Sequence, residues 1–247
     1  MKNETPSVNA NQPTFLLHNG FIKVGLAFLV ILIEQLITSN LIFRANLPTF
    51  IFAVGLCLFF VMLLIVFIIK HNRLFHDQKS HNVKDIIINI IVNLCKIFVL
   101  TVIVNGVSVI MMKYFHLQDP TPANQSNLDA VSHFNIYGYL FILVLSVVIA
   151  PITEEFVFRY IPALGTKPGK QRKIWLFIFG CLFVLAHLLA DFMAVNIFTP
   201  HGLYTVVSHA AIYAVSAYVL ASTYSRSDNM ITNIGVHSSW NLLATLI

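Results

Sequence analysis

The segment APITEEFVFRY, residues 150–160, places two adjacent carboxylates and an arginine within a sequence that is otherwise almost entirely apolar. A charged side chain at membrane depth costs about 2.5 to 3.5 kcal/mol on insertion scales, so such groups are usually paired or functional. In a helix, Glu155 and Arg159 share a face, whereas Glu154 points about 100° away. The arginine is therefore predicted to neutralise Glu155, which leaves Glu154 free for chemistry.

The rest of the chain has the composition of a membrane protein. Of 247 residues, 57% are hydrophobic and 10% are charged. The mean hydropathy is +0.80, and soluble domains carry about 25% charge. A spanning helix needs about 20 apolar residues, so the chain has room for about seven of them. The sequence predicts an all-α, polytopic transmembrane helix bundle with a polar tail (1–20), N-terminal transmembrane helices (21–133) and C-terminal helices that hold the polar motifs (134–247).

The basic residues lie mostly in short loops between apolar runs, where they set the orientation of the helices. Basic loops at 70–84, 165–173 and 225–229 occur at every second connection, which predicts that they and the N-terminus face the cytoplasm. The net charge of +5 therefore does not indicate nucleic-acid binding. The three cysteines lie in apolar runs without metal-site spacing, which predicts buried, free side chains.

Two later helices also hold polar groups at one-turn spacing. His187 is followed by Asp191, and His237 is followed by Asn241. A carboxylate, two histidines and an amide can activate a water and stabilise the oxyanion that forms when the water attacks a peptide carbonyl. Glu154, His187 and His237 could equally hold a divalent metal such as zinc with a bound water, since two histidines and a carboxylate are a known zinc ligand set.

These three motifs also resemble a known family. E-E-x-x-x-R at 154–159, F-x-x-x-H at 183–187 and H-x-x-x-N at 237–241, in this order, resemble the signature motifs of the CPBP intramembrane proteases. That family includes the type II CAAX prenyl endopeptidases and bacterial relatives linked to bacteriocin processing and immunity. The resemblance covers residues 145–247, so residues 134–247 are predicted to be the CPBP-like catalytic helices.

The resemblance implies a role for each motif residue. Glu154 would be the general base on the hydrolytic water, and His187 would position or polarise that water. His237 and Asn241 would stabilise the oxyanion. Glu155 and Arg159 would be a structural pair, as their helical spacing also predicts.

The predicted function is that of an intramembrane endopeptidase, and the protein is predicted to be a multi-pass protein of the cell membrane. The enzyme would be similar to the CAAX proteases and would depend either on a metal or on a glutamate. Its partners would be the lipid bilayer and a membrane-associated peptide or protein substrate. The compact length favours a bacterial source, for which a prenylated substrate is not expected. One alternative is a non-catalytic bacteriocin immunity protein on the same scaffold. Another is a solute carrier, supported by Glu34, Asn93 and Lys96, although the inverted repeats of many carriers are not visible.

One geometric expectation opposes the catalytic interpretation. Counted from the predicted cytoplasmic ends of their helices, Glu154 lies about 12 Å deep, His237 about 10 Å and His187 nearly 20 Å. Tilted helices or an interfacial first turn would be needed to bring the three side chains together. Asp191 and His209 are further candidates for the site, with no family motif behind them.

Overall fold

A computed structural model describes residues 22, 23, 25, 27, 29–31, 47–71, 82–117, 136–166 and 168–246. Residues 22, 23, 25, 27 and 29–31 are helical and are called the N-terminal segment. Six helices follow: α1 (Leu47–His71), α2 (Val83–Tyr114), α3 (136–163), α4 (Lys170–Ala194), α5 (Pro200–Ser227) and α6 (Met230–Leu246). The described residues contain no strand, which confirms the all-α prediction.

Four helices in the described part of the chain are long and apolar enough to cross a bilayer: Val83–Tyr114, Tyr139–Ala163, Lys170–Ala194 and Pro200–Ser227. Their outer faces expose large apolar side chains, such as Ile110 at 67% and Phe177 at 71%. An exposed apolar surface of this extent is typical of contact with lipid, since soluble monomers expose only small apolar patches. The fold is therefore that of a membrane protein.

The bundle is built around α5 and α6. Helix α5 packs along α4 and against α2, and α6 packs against α2, α5 and the middle of α3, while α1 covers the first half of α3. Small residues allow these close approaches. A Cβ atom added to Gly180 on α4 would lie 3.9 Å from the Cβ of Ala217 on α5, and one added to Gly235 on α6 would lie 2.5 Å from the Cδ1 of Ile90 on α2.

The cysteine prediction is correct at one position and wrong at two. All three are free, but only Cys57 is buried, whereas Cys95 and Cys181 are exposed. Both exposed cysteines lie on faces of α2 and α4 that the other helices leave uncovered. An apolar run in a membrane helix does not distinguish the lipid-facing side from the packed side, because both are apolar.

Helix α3 contains two π-helical turns, Leu145–Ile149 and Phe156–Tyr160, on either side of the α-helical turn Ala150–Glu155. Each π turn is followed at the second position by a proline, Pro151 or Pro162. Helix α3 continues through both prolines. A π turn is wider than an α turn, so the carbonyls that precede each proline are displaced from their positions in an α-helix. Turns of this kind frequently occur at functional sites.

Charged side chains join the helix ends near residues 160–175. Arg172 at the start of α4 pairs with Asp228 after α5, with 2.9 Å between Nη1 and Oδ1. Its Nη2 also donates to the carbonyl of Thr166 at 2.7 Å. Lys23 in the N-terminal segment donates to the carbonyl of Pro162 at 3.0 Å, and its ammonium lies 5.3 Å from the centroid of the Trp175 ring. These contacts hold the end of α3 in place.

Candidate active site

The structure brings the side chains of Glu154, His187 and His237 together from α3, α4 and α6. The Oε2 atom of Glu154 lies 3.6 Å from Nε2 of His237 and 3.9 Å from Nε2 of His187. The expected difference in depth does not separate them. A distance counted from each helix's own start is therefore not a common measure of depth for the three helices.

Both histidines are held in one orientation by their Nδ1 atoms. His187 Nδ1 lies 2.9 Å from the carbonyl oxygen of Phe183, one turn earlier on α4. His237 Nδ1 lies 2.9 Å from Oε1 of Glu155. A carbonyl or carboxylate oxygen only accepts, so each Nδ1 carries a proton and donates. In the neutral imidazole this makes both Nε2 atoms acceptors, and both point toward Glu154.

Three acceptor atoms therefore converge at one point between α3, α4 and α6. Among the described residues, Oε2 of Glu154 receives no hydrogen bond although the atom is buried. The three acceptor atoms can be satisfied by a water that donates to them, by a proton on one imidazole, or by a cation between them. Glu154 and His187 keep 20% and 19% of their side chains exposed, so both side chains reach the surface of the bundle beside this point.

Glu155 is fully buried and contacts three partners. Its Oε2 lies 3.5 Å from Nε of Arg159, also fully buried, and accepts from Nδ2 of Asn233 at 2.8 Å. Its Oε1 receives the proton of His237. The predicted ion pair is thus present, but Glu155 is also the carboxylate that orients His237. A carboxylate behind a histidine fixes its tautomer and stabilises the imidazolium ion.

The ring of Phe183 is the apolar centre of this cluster. Its centroid lies 4.3 Å from that of His187 and 6.1 Å from that of His237. The guanidinium carbon of Arg159 lies over the same ring at 4.9 Å, the geometry of a cation–π contact. His187 also contacts the ring of Tyr213 on α5, with 4.6 Å between the ring centroids. Two aromatic rings therefore pack against His187 in tilted contacts.

Asn241 makes its described contact at a different point from the three converging acceptors. Its Nδ2 donates to the backbone carbonyl of Ser146, 2.8 Å away in the first π turn of α3. In that turn the Ala150 N–H bonds to the carbonyl of Leu145, five residues earlier. The equivalent donor for Ser146 would be Pro151, which has no N–H. One amide proton of Asn241 thus replaces the hydrogen bond that the proline removes.

The other candidates separate into two groups. Asp191 and His209 are both buried and pair with each other, with 2.8 Å between Oδ2 and Nδ1. Asp191 lies one turn after His187 on α4, and His209 lies one turn before Tyr213 on α5. The Asp191–His209 pair and the His187–Tyr213 pair therefore form neighbouring layers between the two helices. The carrier alternative loses support, since Lys96 donates to Asn93 on its own helix. Glu34 lies outside the described residues.

The metal hypothesis can be compared with this geometry. Among the residues that the structure describes, no three His, Cys, Asp or Glu side chains are arranged so that they could hold a metal ion. Glu154, His187 and His237 are included in that statement. The zinc site inferred from residue types stays a prediction, and no chemical step below depends on it.

Two contact residues were not recognised from the sequence. Asn233 lies one turn before His237 on α6 and donates both to Glu155 and, at 2.9 Å, to the carbonyl of Leu220 on α5. Its spacing to His237 equals that between His237 and Asn241, which is the signal that could have identified it. Tyr213 is one of several tyrosines in apolar runs, and its spacing carries no such signal.

Residues 136–243 match the family model of the Rce1-like, type II CAAX prenyl endopeptidases. This match confirms the family resemblance that the three motifs predicted, and the matched region contains all seven motif residues. No curated protein and no solved structure matches the chain significantly.

Proposed function

We propose that this protein is an intramembrane endopeptidase, a multi-pass protein of the cell membrane that hydrolyses a peptide bond in a membrane-associated peptide or protein. The family supports a CAAX-type intramembrane protease at the coarser level. The single observation that carries the proposal further is the convergence of Glu154 Oε2 with the Nε2 atoms of His187 and His237, 3.9 and 3.6 Å away. These separations allow one water to hydrogen-bond to the carboxylate and an imidazole together.

In the proposed reaction, Glu154 accepts a proton from the water as the water oxygen attacks the scissile carbonyl carbon. His187 accepts the second O–H of that water and so fixes its direction of attack. Its contacts with the rings of Phe183 and Tyr213 support this role. Glu154 then returns the proton to the amide nitrogen, the C–N bond breaks, and a carboxylic acid and an amine leave.

The oxyanion would be stabilised by His237. The Glu155 carboxylate accepts from Nδ1 and fixes the orientation of the ring, and a proton on Nε2 would donate to the oxyanion. The second N–H of Asn241 is the donor left for the same purpose, because the first is bonded to Ser146. Glu155 is therefore proposed to act through His237 as a positioning residue, in addition to neutralising Arg159.

The family match favours the hydrolase over a non-catalytic immunity protein. A direct test incubates the purified full chain in detergent with two probes, a pool of unmodified hydrophobic peptides and a farnesylated C-a-a-X peptide, and detects products by mass spectrometry. Parallel reactions with a chelator test the metal dependence. We expect cleavage of unmodified peptides.

Glu154→Gln and His187→Ala should each lower the cleavage rate by about 10²- to 10⁴-fold, the usual contribution of general acid–base groups. Asp85→Asn on α2 and His201→Ala on α5 are matched controls, because neither residue contacts the cluster in the described structure. Elution as a single species shows that each variant is folded. Full activity of Glu154→Gln would exclude its role as base, and intact peptides with every probe would favour a binding protein.

A further inference from the structure

A groove of about 430 Å³ lies between α2 and α5 on the outside of the bundle, away from the Glu154 cluster. Its walls are of two kinds. Lys96, Ser222 and Arg226 contribute its polar side chains, with Arg226 nearest the end of α5, and the part that holds the two cations is called the cationic end. The remainder is mainly apolar, with Val99, Leu100 and Val219. The volume lies within the range of small-ligand sites, about 300 to 1,000 Å³.

The cationic end of the groove is not neutralised by the protein. Among the described residues, neither Lys96 nor Arg226 forms an ion pair with a carboxylate. Lys96 uses one of its three N–H bonds, which donates to Oδ1 of Asn93 at 3.1 Å. The nearby carboxylate of Asp228 pairs instead with Arg172. Among the described residues, both cations of the groove are therefore available to an anion.

The groove opens at the membrane surface that the sequence predicts to be cytoplasmic. Arg226 lies in the last turn of α5, two residues before Asp228, which contacts the start of α4. The exposed Lys170 and Lys173 lie at that same helix start. This end of the bundle therefore has the basic loops that the positive-inside rule assigns to the cytoplasm. The cytoplasmic leaflet is where anionic lipids attract Lys and Arg side chains.

The apolar wall runs from the cations toward the middle of the helices. On α2 it follows Lys96 through Val99 and Leu100, and on the antiparallel α5 it precedes Arg226 at Val219. Beside it, 65% of the surface of Tyr218 is exposed. An anion at the cationic end would thus have apolar surface below it in the direction of the bilayer centre. A free phosphate cannot use that surface, but a lipid acyl chain can.

We propose that this groove binds one anionic phospholipid of the cytoplasmic leaflet. Its phosphate lies between Lys96 and Arg226, and the upper part of an acyl chain lies along Val99, Leu100 and Val219. The occupant is a phospholipid rather than a soluble anion because the groove joins a cationic end to an apolar wall.

Native mass spectrometry of the purified full chain tests this site. The chain is titrated with dioleoyl phosphatidylglycerol and, separately, with dioleoyl phosphatidylcholine, which has the same acyl chains but no net charge. We expect one phosphatidylglycerol to bind preferentially. Each cation near an anionic surface contributes about 1 kcal/mol, so Lys96→Gln with Arg226→Gln should weaken that binding about 30-fold, and Arg226→Gln alone about 5-fold.

The matched control is Lys170→Gln with Lys173→Gln, which removes two positive charges from the same end of the bundle outside the groove. It should retain the lipid. Equal loss in the control would show a general charge effect and overturn the site, as would equal binding of phosphatidylcholine. Tight binding of inorganic phosphate alone would replace the lipid with a soluble anion. If the double variant does not elute as a single species, the exposed Arg226→Gln variant decides the outcome.

Discussion

Replacing Asn241 with alanine removes the side-chain donor that bonds to the Ser146 carbonyl at 2.8 Å. In the π turn of α3 the residue that would otherwise donate to this carbonyl is Pro151, which has no N–H. Pro151→Ala supplies that N–H. The two substitutions should therefore not be additive: the alanine at position 151 should compensate for the loss of the amide at position 241.

The expected size of this compensation follows from the environment of the bond. An unsatisfied buried polar group costs about 1 to 3 kcal/mol, but hydrogen bonds between membrane helices average about 0.6 and reach about 1.7 kcal/mol. The Asn241–Ser146 bond is only partly buried. We therefore expect Asn241→Ala to lower the free energy of unfolding by about 1 kcal/mol in the wild-type background, and by much less beside Pro151→Ala.

Reversible unfolding of the four proteins of this cycle in mixed detergent–SDS micelles measures the coupling. Asn241→Ala and Pro151→Ala are compared with the double variant and the wild type. A coupling energy below about 0.3 kcal/mol, the level at which independent sites add, would refute the explanation. Ser222→Ala on α5 is a control that removes a side-chain hydrogen bond elsewhere.

The same four proteins separate the two roles of the amide. If Asn241 also donates to the oxyanion, Asn241→Ala should reduce cleavage in both backgrounds. If it acts only by holding α6 against α3, activity should return together with stability in the double variant. Recovery of activity in the double variant would contradict the oxyanion role.

Three further predictions concern the buried groups around the cluster. Glu155→Gln should lower the free energy of unfolding by about 3 kcal/mol, because it removes the charge that pairs with the buried guanidinium of Arg159. Unfolding at the same denaturant concentration as the wild type would contradict this. His209→Phe should destabilise the fold by about 2 to 3 kcal/mol by removing the histidine that hydrogen-bonds to the buried Asp191 carboxylate, and His209→Phe with Asp191→Leu should regain part of that loss. Phe183→Leu should lower kcat more than it raises KM, since it removes the ring against His187; an increase in KM alone would assign Phe183 to substrate binding.

Part of the site was predictable because its residues are local in sequence. Glu155 and Arg159 are one helical turn apart, so their ion pair followed from the spacing, and so did the free carboxylate of Glu154. The contacts of Asn241 were not predictable in this way. They depend on a π turn, whose presence changes the partner of every carbonyl in it, and on the residue of another helix that lies opposite.

The two layers between α4 and α5 show the same division. The sequence placed His187 and Asp191 on one face of a helix, but gave no means to pair them across to Tyr213 and His209. Such pairing is set by the relative shift of two antiparallel helices, which small contacts such as Gly180 against Ala217 determine. The apolar residues of a membrane helix do not indicate that shift, because contact with lipid and contact with another helix favour the same residue types.

By itself the sequence determined that this is an all-α membrane protein with three polar motifs on its C-terminal helices. These conclusions need only composition and helical periodicity. Tertiary structure alone decided that Glu155 orients His237, that Asn233 supports Glu155, and that both imidazoles turn Nε2 toward Glu154. The physical reason is that a hydrogen bond is directional and extends about 3 Å, so it depends on how neighbouring helices are rotated and shifted, and spacing along one helix cannot supply this.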